Sequence, residues 1–390
     1  MDGFLKRAWV EIHLDRLAYN LSQLKSLTDG STEIACVVKA NAYGHDDRHV
    51  VPFLETQGIR FFAVSNIMEA KQLRDAGCKG DILILGYTPP EYASELSEHD
   101  IIQTAVSLDH AQALSQCAEK PVRVHIALDT GMGRIGILTD DIHTCISEIE
   151  QIARLENIQA EGIFTHFASA DSYLEEDIKY TRKQLDSFFE IREALEKRGL
   201  TFKHYHCQNS AGATFYTTYS EKKNTLVRFG IMLYGLYPDV SLELPVSLKP
   251  VMDFKSAVSY IKTLKKGQSV SYGRTFTAHK DMTVATIPVG YADGYSRQLS
   301  NIGEVLVNGY RAKILGRICM DQTMIDITGI KGVSVGTEVT LIGTDGRETI
   351  TADDLAQLYG TIGYEIICGI NKRVPRIIMN DGKIVHIAEY

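Results

Sequence analysis

One lysine stands where the chain has the pattern of a buried strand's end. The segment EIACVVKANAYGHD, residues 33–46, passes through small and β-branched apolar residues and stops at Lys39. Lysine is seldom buried, because its charged form is costly in apolar surroundings. Either Lys39 reaches water past the strand end, or its amine is kept neutral and reactive, as in enzymes that join a lysine to a carbonyl compound.

Other residues capable of chemistry follow other predicted strands. LDTGMGRIG carries Arg134, FTHFASAD carries His166, HCQNSAG carries Asn209 and Ser210, and LVRFGIMLYG contains Arg228. In a barrel of parallel strands the carboxyl ends form one rim, and barrel enzymes place their working residues there. A single strand-end histidine or arginine is usually structural, but five such residues on one rim favour a site.

The same residue types fit the needs of an anionic cofactor that carries an aldehyde. Lys39 would react with the aldehyde, and burial beside Arg134 and Arg228 would lower its pKa from about 10.4 toward neutrality. We expect Ser210 to be the N-cap of a helix that offers N–H groups to a phosphate, and Gly230 to allow close backbone approach. Arg228 is a candidate partner for a pyridine nitrogen. Together these requirements indicate pyridoxal 5′-phosphate.

The elements that must position these residues alternate between strand and helix. Helical periodicity appears in residues 141–156 and 173–199, the second ending at Gly199 as a C-cap. Eight strands alternating with helices predict an α/β fold with a (β/α)8 TIM-like barrel over residues 9–245, although an open doubly wound sheet has the same periodicity. The predicted strands are 34–39, 60–65, 81–86, 101–106, 122–128, 158–165, 204–208 and 226–234.

The sequence pattern changes from alternating strands and helices to β-rich segments after the proline-rich segment PDVSLELPVSLKP, residues 238–250. Alternating β-branched runs follow, Asn308-Gly309 is typical of a type I′ hairpin turn, and Thr351 with Asp354 resembles a capping box. We therefore predict a mainly antiparallel β domain over residues 246–390. The first strand, RAWVEIHL, and residues 1–8 are expected to pack with this domain.

Composition narrows the function. The 390 residues carry a formal net charge of −8, and no run of lysines or arginines appears, so nucleic acid and anionic membrane are not expected partners. Seven cysteines without a C-x-x-C motif predict reduced thiols in the cytoplasm and no bound metal. No segment has the apolar length of a membrane span.

The ordered motifs VVKANAYGHD, HCQNSA, VRFGIMLYG, SYGRTF, GYADGY, GRICMDQ and RVPR resemble those of the alanine racemase family from Trp9 to Arg376. The resemblance implies an eight-stranded barrel with a C-terminal β domain, acting on alanine as a homodimer that shares its active sites. It implies that Lys39 binds the cofactor and is one base, while Tyr272 of the partner subunit is the opposing base. His166 would link that tyrosine to Arg228.

The resemblance also implies binding roles. Arg134 would lie near the cofactor's phenolic oxygen and the substrate carboxylate, Met320 would bind that carboxylate through its backbone, and Tyr291 would line the substrate entrance. The implied cofactor-binding residues are Lys39, Tyr43, His166, Asn209, Ser210, Arg228, Gly230, Ile231 and Tyr364.

One position departs from the family pattern. Many members carry a carbamylated lysine two residues before the aspartate of DTG, and its negative charge holds the arginine. Here that residue is Ala127. We hypothesise that a chloride ion or an ordered water takes the place of the missing anion beside Arg134.

Three alternatives remain open. GMGRIG, residues 131–136, matches a dinucleotide fingerprint, but the bulky Arg134 and the absence of a well-placed acid argue against it. A racemase for serine or for a broader set of amino acids would use the same machinery, although Tyr364 favours a small pocket. A noncatalytic pyridoxal-phosphate carrier would have no use for the second domain.

Overall fold

In the computed structural model, which describes residues 4–216, 224–239 and 241–389, strands and helices alternate through the N-terminal part of the chain. The strands are β1 (Ala8–His13), β2 (Glu33–Val37), β3 (Phe61–Val64), β4 (Asp81–Ile84), β5 (Ile101–Ala105), β6 (Val122–Asp129), β7 (Ile137–Leu138), β8 (Ile158–Phe164), β9 (His204–His206) and β10 (Leu226–Phe229). The helices are α1 (Leu14–Lys25), α2 (Lys39–Tyr43), α3 (Asp47–Thr56), α4 (Ile67–Asp75), α5 (Ala93–Glu98), α6 (Leu108–Cys117), α7 (Ile142–Ala153), α8 (Glu175–Lys197) and α9 (Ser210–Phe215).

Eight of these strands form a parallel barrel in the order β10-β2-β3-β4-β5-β6-β8-β9. The seam between β9 and β10 has no regular ladder, but Thr225 N donates to Tyr205 O (3.0 Å) and Arg228 N to Gln208 O (3.2 Å). The (β/α)8 barrel is therefore confirmed, and a strand lies in each of the eight predicted segments, although the last ends at Phe229 and residues 231–234 form a 3-10 turn instead of continuing it. The open doubly wound sheet is not what the chain forms.

Sequence pattern explains both kinds of element. Strand β3 is buried along its whole length, as expected of a parallel strand covered on both faces. Helix α7 buries one face through Cys145, Ile146, Ile149 and Ile152, and Asp141 caps its N-terminus by accepting from two backbone N–H groups. Helix α8 is followed by Gly199 at φ +81°, the left-handed position that favours glycine.

The C-terminal part is mainly antiparallel β. Its strands are β11 (Met252–Ala257), β12 (Tyr260–Leu264), β13 (Ser269–Val270), β14 (Phe276–Thr277), β15 (Met282–Ile287), β16 (Glu304–Val307), β17 (Tyr310–Lys313), β18 (Thr323–Asp326), β19 (Glu338–Asp345), β20 (Glu348–Ile350), β21 (Arg376–Asn380) and β22 (Lys383–Ala388), with helices α10 (Ala352–Tyr359) and α11 (Gly363–Cys368). Strand β1 joins this sheet, antiparallel to β11 and parallel to β21. The first strand therefore pairs as predicted.

Local predictions in this part also hold. Asn308 and Gly309 both have positive φ, 50° and 78°, between β16 and β17, as a type I′ turn requires. Thr351 and Asp354 form a reciprocal capping box at the start of α10. The domain boundary at 245/246 stays a prediction, and residues 1–3, 217–223, 240 and 390 of the predicted domains lie outside the described residues.

Helix α11 lies against the barrel segment that follows Lys39. A Cβ added to Gly44 would lie 2.4 Å from the carbonyl oxygen of Ile367, so only glycine allows this approach. The buried Arg376 guanidinium donates to Gly44 O (3.2 Å) and to Ile370 O (2.8 Å). The C-terminal part of the chain thus closes over one side of the barrel rim. None of the described helices has the length and hydropathy needed to cross a bilayer.

Candidate active site

Lys39 begins a left-handed turn directly after β2. Ala40, Asn41, Ala42 and Tyr43 have φ between 53° and 57°. Non-glycine residues in this region cost roughly 1–2 kcal/mol each. The turn can persist only because the surrounding structure holds it, and it aims Lys39 and Tyr43 at the barrel mouth.

Two side chains hold the turn. Glu69 accepts the backbone N–H of Ala40 (2.9 Å) while its other oxygen accepts from the backbone N–H and the hydroxyl of Ser65 (2.8 Å each). The buried His45 donates from Nδ1 to the carbonyl oxygens of Ala42 and Tyr43, both at 3.0 Å. Burial lowers the pKa of His45 to about 3, so the ring is a neutral donor at physiological pH.

The Lys39 amine is suited to act uncharged. Burial and, next, the charge of Arg134 lower its pKa from the ordinary lysine value, while Glu69 and Cys368 act in the opposite direction. Its Nζ forms no hydrogen bond or ion pair with any residue in the described ranges. A lowered pKa raises the fraction of free amine, the form that attacks a carbonyl or accepts a proton.

Backbone and hydroxyl groups beside Lys39 form a small cradle. Gly230 N donates to Ser210 Oγ (3.1 Å), and a Cβ at Gly230 would lie 2.7 Å from the Tyr43 hydroxyl. The rings of Tyr43 and Tyr364 lie 6.2 Å apart, and Ile231 starts the 3-10 turn after Gly230. Hydroxyls, a side-chain-free backbone and helix starts are the groups that bind phosphate, so the cradle fits the phosphate of the predicted cofactor.

The prediction of Ser210 as N-cap is wrong. Asn209 is the N-cap of α9, with extended backbone and with Oδ1 accepting from Gly212 N (2.9 Å). Asparagine and serine are both good N-caps. Here the Ser210 hydroxyl accepts from Gly230 N, and Asn209 caps the helix. Ser210 is instead the first helical residue, where its own N–H has no acceptor within the helix.

Arg228 lies beneath the mouth of the barrel, 2% exposed. Its Nη2 donates to Thr165 O (2.8 Å) and lies 3.3 Å from Nδ1 of His166. Its Nη1 donates to Nδ1 of His206 (2.6 Å), and no carboxylate in the described ranges bonds to it. Burial lowers the pKa of Arg228 to about 10, so the side chain stays charged at neutral pH and can only donate.

His166 provides half of the predicted link to a tyrosine. Burial and then the Arg228 charge lower its pKa to about 3, so the imidazole is neutral beside the guanidinium. The half that reaches Arg228 is present. No described contact within the chain joins His166 to Tyr272.

Arg134 occupies an exposed loop after β6. Asp129 Oδ1 shapes this loop by accepting from Gly131 N (3.0 Å) and Gly133 N (2.9 Å). Arg134 has no hydrogen bond or ion pair within the part of the chain that the structure describes, and Ala127 is buried on β6. Strand β7, paired with β6, follows GMGRIG, so this loop does not open a helix as a dinucleotide fingerprint would.

Three further predicted residues, Tyr272, Tyr291 and Met320, form what we term the tyrosine face. They are 69%, 42% and 53% exposed. Tyr291 N donates to Cys319 O (3.1 Å), and a shallow depression lies beside Tyr272 and Met320. No described hydrogen bond, ion pair or ring contact connects this face to Lys39. The residues around Lys39 and Arg228, together with the cradle, are termed the barrel-mouth cluster.

Sequence reasoning did not assign four residues that support these two groups. Glu69 and His45 hold the lysine turn, and His206 holds Arg228. Asp293, fully buried, accepts from Arg7 Nη1 (2.7 Å), Arg373 Nε (2.8 Å) and Gly290 N (2.9 Å), which fixes the loop that carries Tyr291. His45, His206 and Asp293 each lie inside a quoted motif, whereas Glu69 does not, and residue type alone does not reveal a partner.

A (β/α)8 barrel with a lysine of lowered pKa at its mouth, hydroxyl and backbone groups beside it and an appended β domain is the architecture of a lysine-centred barrel enzyme. Comparison with known sequences makes this specific. The model of the alanine racemase N-terminal domain matches residues 12–238, and that of the alanine racemase C-terminal domain matches residues 251–378. Alanine racemases of Clostridium novyi (strain NT) and Clostridium tetani (strain Massachusetts / E88) are 43% and 44% identical, each over 99% of both chains. The chain belongs to the alanine racemase family.

Solved structures agree. An alanine racemase of Clostridium difficile 630 superimposes with a TM-score of 0.92 at 36% identity, covering 98% of both chains. The Bacillus anthracis alanine racemase with bound L-Ala-P gives 0.92 at 36% identity, covering 99% of this chain and 98% of that one. A histidine racemase from Leuconostoc mesenteroides subsp. sake NBRC 102480 gives 0.86 at 30% identity, covering 96% and 98%. The fold therefore also serves a racemase for a larger amino acid.

Proposed function

We propose that this enzyme interconverts L-alanine and D-alanine with pyridoxal 5′-phosphate, using Lys39 and Tyr272 of the partner subunit as two bases. The observation that carries the proposal is the barrel-mouth cluster, in which an amine of lowered pKa lies beside a cradle suited to phosphate. Family membership and relatives named alanine racemase support the substrate.

The cofactor would be held by residues that the fold already brings together. Lys39 would bind it covalently, the cradle residues Tyr43, Ser210, Gly230, Ile231 and Tyr364 would receive its phosphate, and Asn209 would support the cradle as the cap of α9. When bound, the cofactor withdraws electrons from the substrate and makes its Cα proton acidic.

Racemisation requires a proton to leave one face of Cα and another to arrive on the opposite face. The Lys39 amine is one proton carrier because burial favours its neutral form. Tyrosine has an ordinary pKa of about 10 and needs cationic help to act as a base at neutral pH. His166, bridged to Arg228, would supply that help to Tyr272 of the partner subunit.

Arg228 would set the type of reaction. A guanidinium donates and does not accept protons, so it would leave the ring nitrogen of the cofactor unprotonated. An acid at this position would protonate that nitrogen and favour side reactions such as transamination. Arg228 thereby restricts the chain to removing and returning a proton.

Substrate binding is proposed for Arg134, for the backbone of Met320 and for Tyr291 at the entrance. Tyr364, beside Tyr43 in the cradle, favours a small side chain on the substrate. The likeness to the Leuconostoc histidine racemase keeps a second candidate in view, a racemase for serine or a broader set of amino acids.

We further propose a homodimer with shared active sites, working in the cytoplasm to supply D-alanine for peptidoglycan. Exposure of the tyrosine face, away from the chain's own Lys39, supports the shared site. Seven cysteines without a disulfide support a reducing compartment. The likeness to bacterial alanine racemases supports the cell-wall role.

The direct test incubates the purified holoenzyme in D₂O with L-alanine, L-serine or L-histidine and follows loss of the Cα–H NMR signal and the ratio of enantiomers. We expect exchange and racemisation to be fastest for alanine. Faster turnover of serine or histidine would show that alanine is not the preferred substrate. Exchange without inversion would contradict the two-base mechanism. Lys120→Ala, at an exposed lysine away from the site, is the matched control for Lys39→Ala.

A further inference from the structure

The buried Arg228 guanidinium is anchored by histidine where an acid is the usual partner. Nη1 donates to the ring nitrogen Nδ1 of His206 (2.6 Å) and to its carbonyl oxygen (3.0 Å). Nη2 donates to carbonyl oxygens of Thr165 and Cys207 (2.8 and 3.3 Å). Both terminal nitrogens are thus engaged by neutral acceptors, and Nε is the remaining N–H.

The direction of each hydrogen bond determines which ring nitrogen carries the proton, first in His206 and then in His125. Because Arg228 can only donate, Nδ1 of His206 must accept, and the proton of His206 lies on Nε2. That Nε2 lies 2.9 Å from Nδ1 of His125, which must therefore accept as well. His125 then carries its proton on Nε2, an atom with no hydrogen-bond partner in the described part of the chain. The hydrogen bonds run one way, from Arg228 through His206 to His125.

Packing holds both rings in the barrel interior. The Phe164 ring stacks on His206 with centroids 4.8 Å apart and an angle of 8° between planes, and strand register places the two residues side by side. His125 is opposite Gly162 on β8, where an added Cβ would come within 2.7 Å of the ring. Because Gly162 has no side chain, it leaves the space that the His125 ring occupies.

Electrostatics keeps the rings neutral. Burial lowers the pKa of both far below the ordinary histidine value, and the positive charge of Arg228 lowers both further. A carboxylate in place of His206 would form a bidentate pair and neutralise the arginine. A neutral imidazole orients the guanidinium without cancelling its charge.

We propose that His206 and His125 are positioning residues: they form a neutral, one-directional column that orients the Arg228 guanidinium and leaves its Nε–H directed to the barrel mouth. The column itself follows from geometry. Its consequence for turnover rests on the proposed function, because it assumes that Arg228 meets the cofactor's ring nitrogen.

The first experiment measures protonation without any reaction. Histidine-selective ¹⁵N labelling of the cofactor-free protein, with assignment by His206→Gln and His125→Asn, gives the ring-nitrogen shifts of the 12 histidines. We expect His206 and His125 to be neutral, with protons on Nε2, between about pH 5 and pH 8. Titration of either ring in that range, or a proton on Nδ1 of either, would overturn the column.

The second experiment compares variants of the last ring. In His125→Asn the side-chain oxygen can still accept from His206, whereas in His125→Leu nothing can. We expect His125→Leu to lower kcat about 10- to 100-fold with little change in KM, and His125→Asn to recover most of the loss. Equal kcat in both variants would overturn the positioning role.

A third variant guards against misfolding. Gly162→Ala removes no histidine, but its methyl group would push against the His125 ring. We therefore expect the ring-nitrogen shifts of His206 and kcat to change in the same direction as in His125→Leu. Unchanged shifts in Gly162→Ala would contradict the role assigned to the packing. If the wild-type enzyme fails to racemise alanine while the NMR result holds, the proposed function is wrong and the column stands.

Discussion

The barrel-mouth cluster and the tyrosine face differ in how completely their own chain encloses them. Arg228 is 2% exposed and has every terminal nitrogen bonded, whereas Tyr272 is 69% exposed. The groups proposed to bind the cofactor are preorganised within one chain. The tyrosine proposed as a base would need to be desolvated, and this chain alone leaves it in water.

Exposure of the tyrosine face does not mean a loose backbone. Ser271 is held at φ 66° beside Tyr272, and the buried Asp293 ties the Tyr291 loop to Arg7 and Arg373. Rigid exposed aromatic residues are typical of protein interfaces, where they bury large areas at low entropic cost. Under the proposed shared site, the barrel-mouth cluster is a half-site completed by its own chain, and the tyrosine face is a half-site that a second copy would complete.

The largest effect is expected from Lys39→Ala. Loss of the amine removes both the covalent anchor of the cofactor and one base, so we expect activity to fall by about 10⁴-fold or more. Absorbance of the bound cofactor and racemisation rate measure the two losses separately. Lys120→Ala is the control, and substantial activity in Lys39→Ala would remove the barrel-mouth cluster from the chemistry.

Tyr272→Phe should affect the other half-site alone. We expect cofactor binding to be unchanged and racemisation to fall about 10²- to 10⁴-fold, because only a proton carrier is lost. Tyr310→Phe, at another exposed tyrosine of the same domain, should be silent. Equal amounts of Lys39→Ala and Tyr272→Phe chains, unfolded and refolded together, should regain about one quarter of wild-type activity, since half of the dimers carry one intact site. No recovery would contradict a site shared between subunits.

Asp293→Asn tests what keeps the tyrosine face rigid. Although burial favours its neutral form, hydrogen bonds from Arg7 and Arg373 outweigh this and keep the Asp293 pKa below the ordinary value. The variant should lose about 2 kcal/mol of stability at pH 7, because two arginines lose their shared anion. Thermal unfolding provides the measurement.

The sign of the pH dependence follows from that lowered pKa. Asp293 contributes stability above the unfolded-state pKa of about 3.9, and this is lost as pH falls through its folded-state value. The gap in unfolding temperature between wild type and Asp293→Asn should therefore shrink below about pH 4. Asp321→Asn, at a half-exposed acid that also contacts Arg373 (2.7 Å), is the control and should cost less. A gap that stays constant with pH would contradict the assignment.

Gly230→Ala probes the cradle inside the barrel-mouth cluster. The new methyl group would lie 2.7 Å from the Tyr43 hydroxyl and 3.4 Å from the ring carbon that bears it. We expect cofactor affinity to fall about tenfold. Adding Gly230→Ala to Tyr43→Phe should cost much less than adding it to wild type, because the clashing atom is gone. Strictly additive losses would show that the close contact is not the cause.

Much of the fold was predictable because short sequence patterns specify its strands, turns and helix caps. Eight buried apolar runs, an Asn-Gly turn and a capping box each have a signature within a few residues. A parallel barrel places the carboxyl ends of its strands on one rim, so the grouping of the chemically capable residues could be inferred from the predicted fold. By contrast, KANAY is rich in alanine, which favours a right-handed helix, so its left-handed turn is imposed by Glu69 and His45 from outside.

The supports of the site were not predictable for a related reason. His204 and His206 are two residues apart on β9 and must share a face, yet nothing in the sequence indicates that His125 on another strand completes the column. The Asn209 cap was missed because Asn209 and Ser210 are both good caps, and a contact 20 residues away at Gly230 decides. Contacts between distant elements, rather than residue preferences, determine these positions.

The smallest expected effect concerns Arg134, an exposed cation on the loop after β6. If chloride takes the place of the anion that Ala127 cannot supply, replacing chloride by gluconate at equal ionic strength should raise the KM for alanine about two- to fivefold, the worth of an exposed ion pair. Crystals soaked in bromide should show an anomalous peak beside Arg134. An unchanged KM together with no such peak would favour ordered water, so that solvent would hold the exposed Arg134 whereas buried rings and carbonyl groups hold Arg228.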